Sequence, residues 1–180
     1  MKYFIYLFIS ISAAKAEVYP NPSISIPPVS GKDFLSYYSS SKVLVILNTK
    51  INKFIQIKMP DRVIGIVSSA VGIIVYTLDG KILVFNSVGE LTQNYEDVVK
   101  GLILSGADTK ENDRIAFLVS LHSSGKGKEL RSEVWFVKFG KEKLQIEKSD
   151  RKFGFGKLNY SYNQLWFLAK GVAQEITIPN

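Results

Sequence analysis

The chain has 180 residues, a formal net charge of +7, 46% hydrophobic residues (12% aromatic), one histidine and no cysteine. That length allows one domain, or a small domain with a tail, and the apolar share excludes a disordered chain. Without cysteine there is no disulfide, thiolate nucleophile or cysteine-ligated metal, and the lone His122 excludes any site built on two imidazoles.

Residues 1–16, MKYFIYLFISISAAKA, read as an export signal. Lys2 precedes an apolar run from Tyr3 to Ala14, and Ala14-Lys15-Ala16 supplies the small–x–small pattern of a signal-peptidase site. A run of about 12 residues is too short for a bilayer helix, which takes about 20. Cleavage after Ala16 is therefore expected, with a retained N-terminal anchor as the alternative. Loss of Lys2 and Lys15 leaves 21 basic against 16 acidic residues, or +5. No later apolar stretch is long enough to span a membrane as a helix, so the expected location is secreted or periplasmic.

Residues 17–30, EVYPNPSISIPPVS, hold four prolines and read as an extended arm or edge strand, with 23–26 alternating as a strand does. From Gly31 onward the apolar runs are short, β-branched or aromatic, and bounded by turn residues. Strands are expected over 34–39, 42–47, 53–59, 63–68 and 72–78. Asp79-Gly80 then marks a hairpin into KILVF, read as a type I′ turn. Residues 86–90 form a second turn before an edge strand over 91–95. Residues 98–104 are the one stretch with a claim to a helical turn, confined by Gly101 and Gly106. Strands follow over 115–121, 133–139, 143–148, 158–162, 164–169 and 174–178. The expected organisation is a signal peptide over 1–16, a proline-rich arm over 17–30 and one all-β domain over 31–180.

Four segments share one design, a polar turn leading into a tight apolar strand and a hairpin. Anchored at Val43, Ile73, Ile115 and Leu165, they are spaced by 30, 42 and 50 residues. Such loose spacing departs from a solenoid, whereas propeller blades tolerate loop insertions. GIIVYTLDGKILVFNSVGEL resembles a blade of the quinoprotein or NHL type. DRIAFLVS followed by EVWFVKFG resembles the blades of TolB-like propellers. The resemblance spans residues 42–178 and lacks both the tryptophan–aspartate dipeptide of WD repeats and the Asp-box pattern. It implies an all-β, propeller-like stack of antiparallel hairpins in three to four blades, against the usual four to eight. A β-sandwich or barrel is the alternative.

Catalytic patterns are hard to find. His122 lies beside Ser123 and Ser124, but neighbours in sequence point apart, and no G-x-S-x-G elbow occurs. Asp108, Glu111 and Asp113 lack the order of a calcium loop, and Lys110 and Arg114 sit among them. Gly125 and Gly127 belong to a lysine-rich loop, and no phosphate-binding glycine motif is present. These absences lead to the expectation of a non-enzyme with no cofactor.

Charge gathers late: residues 126–157 hold ten basic and five acidic residues and lead into RKFGFGKLNYSYNQLWF. Arg151 and Lys152 are candidates for an anionic polymer, and Tyr160, Tyr162 and Trp166 for stacking on a glycan. The run from Lys152 to Gly156 echoes an RNA-binding motif without its last positions, and the two helices of that fold are missing, so no nucleic acid is expected. Asn159-Tyr160-Ser161 is a glycosylation sequon. The resulting expectation is an exported, non-catalytic β-repeat protein that binds a protein partner in the cell envelope through strand edges or its arm. A carbohydrate-binding or carbohydrate-active envelope protein, and a structural subunit polymerising through the arm, are the alternatives.

Overall fold

The computed structural model describes residues 24–59, 62–96, 99, 101–110, 114–121, 131–140 and 143–179. The expected signal, residues 17–23, and the loop that carries His122, Gly125 and Gly127 lie outside them. The described residues form fifteen strands and no helix.

Each sheet is an antiparallel meander in chain order. Blade 1 holds β1 (Ile24–Ser30), β2 (Phe34–Ser39), β3 (Val43–Asn48) and β4 (Lys53–Lys58). Blade 2 holds β5 (Val63–Ser69), β6 (Gly72–Thr77), β7 (Ile82–Phe85) and β8 (Leu91–Tyr95). Blade 3 holds β9 (Leu102–Asp108), β10 (Arg114–Leu121), β11 (Arg131–Phe139) and β12 (Leu144–Phe153). Blade 4 has three strands, β13 (Lys157–Ser161), β14 (Gln164–Ala169) and β15 (Val172–Ile176). The first strands of consecutive blades pack together, β1 on β5, β5 on β9 and β9 on β13, which makes them the inner strands. This is a four-blade propeller arrangement, and it excludes the sandwich and the barrel.

Apolar residues on both faces of the central strands explain the stacking. In β6, GIIVYT, Ile73 and Val75 face blade 1, while Ile74 and Tyr76 face blade 3. A strand covered on both sides loses simple alternation and reads as a continuous apolar run. Three cores result. Phe34, Leu44 and Ile46 meet Ile73 and Phe85 between blades 1 and 2. Ile74 and Val84 meet Ile115, Phe117 and Trp135 between blades 2 and 3. Leu118, Val134 and Phe136 meet Leu165 and Phe167 between blades 3 and 4. In the middle core the Tyr76 ring lies edge-on to Phe117, with centroids 5.5 Å apart. It fills the space above Gly65, where a Cβ would come within 1.9 Å of it. Burial pushes its hydroxyl up to about 12, opposed by a hydrogen bond with the Gly106 backbone.

Two local expectations change. The hairpin at Asp79-Gly80 is present, but its loop has three residues. Gly80 N–H donates to Thr77 O (3.1 Å), Gly80 has φ +84°, and Asp79 is not left-handed, as a type I′ turn would require. Thr77, fully buried, donates its hydroxyl to Asp79, and that bond, with Lys81, holds the carboxyl below its ordinary value. Within the stretch given a claim to a helical turn, residues 102–104 are instead the start of β9, paired to β10. The edge-strand reading of the proline-rich stretch holds for its second half, which is β1, the innermost strand of blade 1, paired to β2 with its register shifting around Pro27 and Pro28. Proline suits this sheet edge because it cannot donate to a ladder.

Candidate partner-binding groove

The outer edge of blade 4 differs from the rest. In blade 2 the fourth strand, β8, reaches the outer hairpin of blade 3: Tyr95 Oη donates to Gly140 O (2.6 Å) and Gln93 Nε2 to the same oxygen (3.3 Å). In blade 4, β15 pairs with β14, and no further strand joins its other edge among the described residues. The outer strand of blade 3, β12, therefore has no opposite number, and a groove of about 330 Å3 lies between β12 and β15.

Phe136, Phe153 and Ile176 supply its apolar surface, each nearly buried. Its polar walls come from β12, whose shape is set by register. Trp135 pairs with Lys148, yet Glu133 pairs with Lys152, so the single residue Val134 faces three residues of β12. The excess bulges outward over Ser149–Asp150–Arg151, and the Arg151 N–H donates to Ser149 Oγ (3.2 Å). Bulges bend a strand and re-aim its side chains. Here Arg151 is turned toward blade 4, its guanidinium 5.9 Å from the Phe153 ring centre. With its amide oxygen facing the guanidinium, Gln174 of β15 accepts from it. At the far end Arg114 Nη1 donates to Pro179 O (2.8 Å) and pairs with Glu147 (3.3 Å), tying the residues after β15 to blade 3.

The five residues singled out from sequence do not form one site. Arg151 alone lines the groove. Lys152, its neighbour, points to the other face of β12 and pairs with the buried Glu133, which also accepts from Trp135 Nε1 (3.1 Å). Tyr160 packs against the core between blades 3 and 4. Trp166 is on the opposite face of blade 4, across from Asn159 and Glu175. Tyr162 occupies the tip of the β13–β14 turn, 94% exposed. The aromatic residues thus share no stacking surface. Sequence reading missed the apolar surface of the groove and Glu147, Glu175 and Gln174; the one signal available for them was a last repeat with too few strands.

Chemically, the groove offers an open strand edge beside an apolar surface, the two elements by which extended peptides are held in strand addition. Among the described residues no three His, Cys, Asp or Glu side chains gather to hold a metal ion. No helix among them is long and apolar enough to cross a membrane.

No family model matches the chain, and no curated protein matches it. Solved structures do share its fold. BamB from Moraxella catarrhalis superposes with a TM-score of 0.58 at 15% identity, over 81% of this chain and 40% of that one. BBS1N, solved in complex with ARL6DN, superposes with a TM-score of 0.53 at 11% identity, over 88% of this chain and 51% of that one. The chain spans about half the length of these structures, and what it shares with them is the propeller fold.

Proposed function

We propose that this protein is an exported, non-catalytic propeller that serves as a protein-binding module in the cell envelope, taking an extended segment of its partner as the fourth strand of blade 4. The observation that carries the reading is the groove beside β15, at the position where blades 1–3 each hold a fourth strand. A partner strand seated there hydrogen-bonds to the free edge of β15 and lays alternate side chains on Phe136, Phe153 and Ile176. Of the charged groups lining the groove, Glu147 is paired with Arg114 and Arg151 is hydrogen-bonded to Gln174. Export is supported by the N-terminal run and its Ala14-Lys15-Ala16 end. A neighbour of the same fold, BBS1N, is itself seen in a complex with another protein.

The test is site-specific photo-crosslinking of the full chain in its native host. A photoreactive residue replaces Ser149 in the groove, Val172 on the β15 edge, or Lys50 on blade 1 as a control. One discrete adduct from the first two positions, absent from the third and recovered with the envelope fraction, is the expected result. Adducts of equal yield at all three positions, or recovery in the cytosol, sink the reading.

A further inference from the structure

The three internal cores join blade 1 to 2, 2 to 3 and 3 to 4, and no apolar cluster joins 4 to 1 among the described residues. Nor do β13 and β1 pack in the way that successive inner strands do. Among the described residues, two blade faces therefore lack the cover that the others have.

The back face of blade 1 is apolar over β2 and β3, with Gln56 and Lys58 of β4 at its margin. Its residues alternate with those of the core between blades 1 and 2, and form cross-strand rows: Leu35 beside Leu47, and Tyr37 beside Val45. Leu35, Tyr37, Val43 and Leu47 remain half-buried, and Val45 among them is buried. On this side β3 (VLVILN) is as apolar as the covered faces of β6 and β10. The forward face of blade 4 carries Trp166, half-buried, Leu168, 39% exposed, and Ala173 paired to Leu168, set among the polar residues Lys157, Asn159, Ser161, Gln164 and Glu175.

We propose that two copies of the chain associate head to tail, blade 4 of each packing on blade 1 of the other, and close a ring of eight blades. The argument for a second copy is positional. The back face of blade 1 stands where blades 2 and 3 meet their predecessors, and the forward face of blade 4 stands where blades 1–3 meet their successors. Each open face is the other's missing neighbour, so a second copy of the chain can cover both. The superposition agrees: four blades overlay 40–51% of longer propellers, so the rotation between blades suits a ring of about twice this size. Eight blades lie within the range that propellers adopt. A head-to-tail contact makes a closed ring when its rotation closes and a filament when it does not.

Sedimentation of the full chain tests the ring. The chain weighs 20.2 kDa, and a species of twice that mass is expected at micromolar concentration. A monomer at every concentration overturns the proposal, and so does a mass that keeps growing with concentration. Leu47→Asp and Leu168→Asp should each give monomers, because each damages both interfaces of the pair. Mixing the two variants should restore the doubled mass, since one interface is then built from two intact faces. Failure of the mixture to associate, with both variants folded by circular dichroism, overturns the head-to-tail arrangement; the wild-type mass decides the matter if either variant does not fold.

Discussion

Tyr162 and Asn163 both have positive φ, +53° and +61°, with Ser161 and Gln164 paired across them. This is the two-residue type I′ turn, and it occurs at Tyr-Asn rather than at Asp79-Gly80. The left-handed region brings Cβ close to the following carbonyl oxygen and costs roughly 1–2 kcal/mol for an L-residue. Asparagine is enriched there and a bulky aromatic is not. With 94% of its surface exposed, Tyr162 recovers little of that cost by packing. Tyr162→Asn is therefore expected to stabilise the protein by about 0.5–1 kcal/mol. In a chain of this size that raises Tm by roughly 1–4 °C in a thermal melt. An unchanged or lower Tm would show that the side chain has a structural role not visible in its exposure.

Among elements, blade 4 is the least secured. Among the described residues it has three strands, its forward face is half covered, and its core contact is with blade 3 through Leu158, Leu165 and Phe167. Local opening tracks the amount of buried apolar contact. Amides of residues 165–168 should therefore exchange at least about tenfold faster than those of residues 115–119, which lie between two covered faces. Hydrogen exchange at sub-micromolar concentration reads this directly, and equal protection in the two strands contradicts it. Most strands were legible from sequence because short β-branched runs between turn residues have few other solutions. Alternation also decides how Arg151 and Lys152 relate, since adjacent strand residues face opposite ways. The bulge that re-aims Arg151 was not legible: it depends on Val134 facing three residues, which is a property of the pairing and not of either strand. The last strand was expected over 174–178 and is Val172–Ile176, because Lys170-Gly171 turns in two residues, with φ +39° and +81°. The groove was hidden for a similar reason. It arises from a strand count in three dimensions, whereas the hairpin NQLWFLAKGVAQEITIP looks like any other.

At the scale of the whole molecule the four blades form a row in which, among the described residues, each packs its core against its neighbours, so stability should behave as a sum of blade and interface contributions. The two tryptophans are well placed to test this. Trp135 is buried in the core between blades 2 and 3, and Trp166 sits on blade 4. Phe117 is fully buried at the centre of the row, and its truncation to alanine should cost about 3–5 kcal/mol. Because both flanking blades lose their shared core, the Trp135 and Trp166 transitions in urea should move together. Leu158 is buried at the end of the row, in the contact that holds blade 4. Leu158→Ala should cost about 2–5 kcal/mol, borne by that contact alone. In single-tryptophan backgrounds (Trp135→Phe or Trp166→Phe), the Trp166 transition should then fall to lower urea while the Trp135 transition stays near its original midpoint. Coincident transitions in Leu158→Ala would mean that the blades unfold as one unit, and that the row is more tightly coupled than its neighbour contacts imply.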